Sequence, residues 1–125
     1  MIKILLIDDE VDFVETLSRR LERRDYPANV ALNGDQALRL VANEVPDVVV
    51  LDLKMPGLSG KEVLRHLKLI DPDIQVIILT GHGTEQDRLE TLFQGAYEYL
   101  EKPVSVDILI ETILKAYQDR EQRKS

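Results

Sequence analysis

The sequence predicts an α/β fold: a single doubly wound (βα)5 domain whose five-stranded parallel sheet, in the order 2-1-3-4-5, carries helices on both faces. Three observations predict it. Five short runs dominated by apolar residues recur along the chain, too short for helices and mostly β-branched. A segment with helical spacing of its apolar residues follows each run. The central runs are apolar without alternation, so both strand faces must be covered, as in a parallel sheet sandwiched by helices.

Taken in order, the strands are expected at Lys3–Ile7, Asn29–Leu32, Val48–Leu51, Gln75–Leu79 and Tyr97–Leu100. The helical spacings are Val11, Val14, Leu17, Leu21; Ala37, Leu38, Val41; Val63, Leu67, Ile70; Leu89, Leu92, Phe93, Ala96; and Val106, Ile110, Ile113, Tyr117. The second run is the weakest, since Pro27 and Ala28 precede it and only Val30 is a strong strand former. It therefore belongs at an edge, which agrees with the 2-1-3-4-5 order. The stretch Gln118–Ser125 is polar with alternating charge, either a fraying helix end or the start of a linker. Residues 1–120 are expected to form the domain and 121–125 a tail or linker.

At 125 residues the chain fits one domain, enough to bury roughly two-thirds of its unfolded surface. With 44% hydrophobic and 31% charged residues it reads as globular rather than disordered. The absence of cysteine excludes disulfides and thiolate chemistry and is compatible with a cytoplasmic location. The apolar start is cut short by Asp8-Asp9-Glu10, so it reads as a buried strand and not a signal peptide. No apolar run approaches the ~20 residues that cross a bilayer. A net charge of −7 opposes direct binding to nucleic acid or anionic membranes and points to cations and other proteins as partners.

In such sheets ligands bind beyond the carboxyl ends of the strands. Strand one ends in Asp8-Asp9, strand three in Asp52, strand four in Thr80-Gly81, and strand five runs into Glu101-Lys102-Pro103. Strands one and three would be neighbours about 4.8 Å apart, so three carboxylates converge. Each pair repels by about 4 kcal/mol at 4 Å and moderate effective dielectric. Protonation, Lys102 reaching in, or a bound divalent metal would relieve it. An all-oxygen site suits Mg²⁺ better than zinc. A carboxylate, a hard cation, a lysine and a hydroxyl about one point are the parts for phosphoryl transfer to an aspartate.

Plainer readings stand beside these. Asp9 or Asp12 could simply cap the following helix. Thr80 could be an ordinary strand-end hydroxyl, Lys102 a solvated charge, and Tyr99 a half-buried packing residue. Asp52 is harder to explain structurally, because it ends the most apolar strand at a desolvation cost. Met55–Glu62 lacks the first glycine and final Ser/Thr of a P-loop, and Gly81-His82-Gly83 lacks the third glycine of a dinucleotide fingerprint. His66 and His82 have no ligand spacing and read as surface residues.

Leu6-Ile7-Asp8-Asp9-Glu10, Val50-Leu51-Asp52-Leu53-Lys54-Met55-Pro56-Gly57-Leu58-Ser59-Gly60, Leu79-Thr80-Gly81 and Gly95-Ala96-Tyr97-Glu98-Tyr99-Leu100-Glu101-Lys102-Pro103 follow in that order. On these motifs the chain resembles, along nearly its whole length, the receiver domain of bacterial two-component response regulators. The Thr-Gly-His-Gly and Gly-Ala-Tyr stretches are most similar to nitrogen-regulation and nitrogen-fixation type regulators. The resemblance implies a flavodoxin-like fold and phosphorylation of Asp52 by a sensor histidine kinase, a phosphotransfer protein or a small acyl phosphate. It implies Mg²⁺, or Mn²⁺ in its place, held by Asp9, Asp52 and the backbone carbonyl of Lys54, with Asp8 helping through water.

It further implies that Lys102 pairs with the phosphoryl oxygens, that Thr80 swings to bond them, and that Tyr99 then rotates inward. The Lys102–Pro103 bond is expected to be cis. The face of helix four, strand five and helix five would meet an output domain or a second copy. Lys54, Gly81 and His82 lie where family members vary, at positions that tune phosphoryl lifetime. On this reading the chain catalyses only its own phosphorylation and dephosphorylation and is not a dedicated enzyme. Two rivals are a phosphohydrolase of the haloacid-dehalogenase type, which would want an acid where Lys54 stands, and a receiver-like scaffold that takes no phosphate.

Overall fold

The computed structural model describes residues 1–124. Five strands alternate with five helices: β1 (Ile4–Ile7), α1 (Val11–Arg23), β2 (Ala28–Ala31), α2 (Gly34–Asn43), β3 (Val48–Leu51), α3 (Gly60–Ile70), β4 (Gln75–Thr80), α4 (Glu85–Phe93), β5 (Glu98–Glu101) and α5 (Val106–Lys124). All strand pairs are parallel and the order is β2-β1-β3-β4-β5, as predicted.

Each strand's two sides feed separate cores, as the period of two requires. Leu5, Ile7, Val49, Leu51, Val76 and Ile78 pack with Ala37, Val41, Val63, Leu64 and Leu67 of α2 and α3. Ile4, Leu6, Val48, Val50, Ile77 and Leu79 pack with Val14 and Leu21 of α1 and Leu109, Ile113 and Ala116 of α5. The three central strands are buried at every position, whereas β2 and β5 are partly exposed edges.

Two expectations are corrected. In α4 the predicted apolar stripe is split: Leu92 and Ala96 pack with the core, but Leu89 is 52% and Phe93 94% exposed, while Asp87 and Thr91 are buried. Ala96 lies beyond the helix. Polar contacts take the core-facing positions that Leu89 and Phe93 leave. Thr84 and Asp87 form a capping box at its start, Lys61 of α3 reaches Asp87 and Glu90 at 2.7 Å each, and Thr91 Oγ1 donates to the Asp87 carbonyl at 2.8 Å. Ile70 of α3 is likewise 48% exposed, outside the core its spacing suggested.

At the other end of the chain, α5 runs through Lys124, held there by Arg120, which is buried and paired with Asp47 at 3.2 Å. Of the expected tail, 121–124 are helical and Ser125 lies outside the described residues.

Candidate functional site

Parallel register sets the site. Ile7 pairs with Leu51 and Leu51 with Ile78, so the residues following β1 and β3 emerge side by side. The Asp52 amide donates to the Ile7 carbonyl at 3.0 Å, the Asp8 amide to Ala31 at 3.1 Å, and the Lys102 amide to Thr80 at 2.9 Å. These backbone bonds fix Asp8, Asp52, Thr80 and Lys102 at one edge. Asp8 and Asp52 are each 4% exposed and Thr80 is fully buried.

Lys102 is the counter-charge. Its Nζ donates to Asp8 Oδ2 and Glu10 Oε1, both at 2.8 Å, and stands 3.9 Å from Asp52 Oδ2. It also lies 4.2 Å from the centre of the Phe13 ring. Of the three remedies for carboxylate crowding, lysine insertion is therefore present.

Electrostatics agree with this geometry. Burial pushes the Asp8 carboxyl above its ordinary value, against the hydrogen bonds from Lys102 and the Glu10 amide, and neighbouring Asp52 adds to the rise. The hydrogen bond from Lys102 holds Glu10 below its usual value. For Lys102, burial opposes the charge, but the bonds to Asp8 and Glu10 and the proximity of Asp52 outweigh it, and its pKa is raised.

Asp8, Glu10 and Asp52 each offer a carboxylate oxygen, all within 4.8 Å of one another. Asp9, half-buried, lies outside that group, and Glu10 takes the third place. The capping alternative fails at α1: Glu10 is the cap residue and makes no side-chain cap bond, while Asp8 Oδ1 accepts the Glu10 amide at 2.9 Å.

The loop after β3 is pressed against the acceptor. The Gly60 amide donates to the Leu53 carbonyl at 3.1 Å, and a Cβ on Gly60 would collide with the Asp52 carbonyl oxygen. Only glycine fits that approach. Lys54 follows Asp52 in this loop with an exposed side chain, and the Lys102–Pro103 peptide is cis.

Thr80 Oγ1 and the Tyr99 hydroxyl are buried without a hydrogen-bond partner among the described residues. Tyr99 stands inward, 8% exposed, beneath Gly83. His82 is exposed and His66 half-buried; neither belongs to the acidic group, although His82 is near enough to Glu10 to help lower its pKa. Sequence reasoning missed Glu10 and Phe13 as members of this site. Glu10 is the cap residue of α1 and Phe13 lies in its first turn, and nothing in their local sequence marks either as a neighbour of Lys102.

Residues 4–114 match the family described as the response regulator receiver domain. The chain belongs to that family. This receiver domain is 37% identical over 113 residues to the sporulation initiation phosphotransferase F of Bacillus subtilis, covering 90% of this chain and 91% of that protein. It is 38% identical over 109 residues to the response regulator MprA of Mycobacterium sp. strain KMS, covering 87% of this chain but only 47% of MprA. The crystal structure of the receiver domain of NtrX from Brucella abortus superposes with a TM-score of 0.87 at 30% identity, covering 93% of this chain and 98% of that one. NtrX is thus one of several structural neighbours, and the family match is broader than a nitrogen-regulation subgroup.

Proposed function

We propose that Asp52 is the phosphoacceptor of this receiver domain, that Mg²⁺ assists the transfer, and that the added charge resets the Thr80–Tyr99 pair and the α4-β5-α5 face. The observation that carries this reading is the seat of Lys102: its ammonium is fixed on Asp8 and Glu10 while standing 3.9 Å from Asp52 Oδ2, beside the unpartnered Thr80 hydroxyl. A phosphoryl group on Asp52 brings three acceptor oxygens. Lys102 and Thr80 supply donors for them.

The donor set fits a hard divalent cation, since the ligand atoms that Asp8, Glu10 and Asp52 offer are all carboxylate oxygens. Asp8 and Asp52, with Asp9 and the Lys54 carbonyl as the further ligands implied by the family, would hold Mg²⁺ or Mn²⁺, which supplies neutralising charge for the incoming phosphoryl oxygens. An Asp52 oxygen attacks phosphorus as the donor's bond to phosphorus breaks and the leaving group departs with the electron pair. Lys102 follows the charge from Asp8 toward the new oxygens, and Thr80 Oγ1 donates to one of them. Tyr99 already occupies the inward position, so the Thr80 shift secures a ring that is in place.

A sensor histidine kinase or phosphotransfer protein is the phosphoryl source on this reading, and the domain acts on no substrate besides its own acceptor. Residues 1–120 form the receiver unit on this reading, and 121–124, which continue α5, would lead toward an output domain. MprA, a relative with chain beyond the matched part, supports that division. Exposed Leu89 and Phe93 on α4 support partner contact through the α4-β5-α5 face, with an output domain or a second copy. No helix among the described residues is long and apolar enough to cross a membrane, and the function implies a cytoplasmic setting.

Intact mass after incubation with acetyl phosphate tests the assignment. The expected result is an Mg²⁺-dependent gain of one phosphoryl group that Asp52→Asn abolishes. Equal labelling of Asp52→Asn overturns the site. No labelling of the wild type under any condition favours a scaffold bound by partners in its unmodified form.

A further inference from the structure

We propose that Phe13 is a positioning residue for Lys102: its ring face completes the seat of the ammonium and keeps that charge within reach of a group on Asp52. The inference deepens the proposed function and rests on it for its kinetic part.

Two of the three Lys102 N–H donors have partners, Asp8 and Glu10. These partners differ. The Asp8 side chain is 6% exposed and fixed at the end of β1, whereas the Glu10 side chain is 63% exposed and free to exchange with water. An exposed carboxylate holds a lysine weakly, because solvent screens the pair and side-chain entropy opposes it. The Phe13 ring, 4.2 Å from Nζ and half-buried on α1, is the other fixed wall. A ring face carries negative quadrupole density and attracts an ammonium most strongly where water is excluded. The Lys102 side chain is only 12% exposed.

Phe13 also closes the space beside the acceptor. Together with Val14, Leu17, Val50 and Leu79 it lines a cavity of about 10 Å³ that reaches Asp8 and Asp52, no larger than a single water requires. The ring therefore shields the Asp8–Lys102–Asp52 set on its α1 side.

During transfer Lys102 must move from 3.9 Å to hydrogen-bonding distance of the Asp52 side, a shift of about 1 Å. With the ring in place, an ammonium that loosens from Asp8 stays over an attractive surface. With leucine in its place, apolar volume remains but the quadrupole is gone, and the ammonium drifts with Glu10 toward solvent. The loss falls on the transferring step and not on capture of the phosphodonor.

Two measurements on the whole chain test this. In Mg²⁺-free protein, the Lys102 Cε methylene protons, assigned by their absence in Lys102→Met, are expected upfield of ordinary lysine because of the ring current. The shift is lost in Phe13→Leu and kept in Phe13→Trp. With acetyl phosphate and saturating Mg²⁺, Phe13→Leu is expected to lower the maximal phosphorylation rate about 5-fold with the half-saturating donor concentration unchanged, and Phe13→Trp to restore it.

An ordinary lysine shift in the wild type, a Phe13→Leu rate equal to or above wild type, or a Phe13→Trp variant no better than Phe13→Leu overturns the proposal. If the wild type takes no phosphate at all, the proposed function fails, and the methylene shift still decides whether Phe13 seats Lys102.

Discussion

Gly83 lies directly over Tyr99: a Cβ on the glycine would fall on the tyrosine hydroxyl and stand 2.8 Å from Cζ and 2.9 Å from Thr80 Cγ2. The inward tyrosine therefore requires glycine at this turn. Burial raises the pKa of the Tyr99 phenol, with nearby Asp87 as the next cause, so the ring is neutral there. Gly83→Ala is expected to force the ring outward at a cost of about 1–3 kcal/mol, the usual range for overpacking. Nitration of the Tyr99 peptide, slow in the wild type, should become several-fold faster. Unchanged protection would mean that the loop, not the ring, gives way.

Lys61 ties α3 to α4, and its loss should be visible in the pH dependence of stability. The hydrogen bond from Lys61 holds Asp87 below its ordinary pKa of 3.8, and the same donor lowers Glu90 from 4.5. Acids with depressed folded pKa values contribute stability that is present above the unfolded values and lost as pH falls through the folded ones. Hydrogen bonds to Asp87 and Glu90 raise Lys61 above 10.5, so its own contribution is present below that value and lost as pH rises beyond it. Lys61→Met should thus be less stable than wild type at neutral pH, and the gap should close on acidification below the carboxylate range. A gap in urea unfolding that stays constant down to acid would exclude this ion pair as its source.

The same clamp explains where sequence reading failed. Strand runs, sheet order and the carboxylate edge were legible because β3, Val48–Leu51, and its neighbours carry the dominant apolar signal, and register then dictates what emerges beside Asp52. Helix α4 was placed correctly, but only half of its predicted stripe, Leu92 and Ala96, meets the core, while Leu89 and Phe93 are exposed. Its orientation depends on Lys61 from another helix and on Thr91, whose hydroxyl satisfies itself on the Asp87 carbonyl and so can be buried. Hydrophobic spacing registers neither. Glu10 and Phe13 were invisible as site residues for a similar reason: Lys102, 92 residues beyond Glu10, brings them together.

Metal binding should stabilise the fold by linkage. A cation that binds only the native state adds about 2.7 kcal/mol at 100 times its dissociation constant. Thermal or urea unfolding with increasing Mg²⁺ should show such a rise in the wild type and little in Asp52→Asn. Lys102→Met removes the resident counter-charge from Asp8 and Asp52. It should lower metal-free stability and enlarge the Mg²⁺ increment. An increment equal in wild type and Asp52→Asn would place the cation elsewhere.

Arg120 closes the opposite end of the sheet. The residue is 7% exposed, its guanidinium pairs with Asp47 at 3.2 Å and Glu121 at 2.9 Å, and Asp47 also accepts the Lys3 amide at 2.8 Å. The last turns of α5 are thereby joined to the entry of β1 and β3. Removing one member of a fully buried pair costs about 3–5 kcal/mol through the charge left behind. Here Asp47 keeps its backbone donor and its side chain is 15% exposed, so Arg120→Met should cost about 2 kcal/mol, below that range. Arg120→Met combined with Asp47→Asn should recover part of the loss, because the orphaned charge is gone while an acceptor for the Lys3 amide remains. Amide exchange should quicken over 117–124 in the single variant before it changes in β3. Equal quickening in both would mean that Arg120 supports the whole domain and not the end of α5 alone.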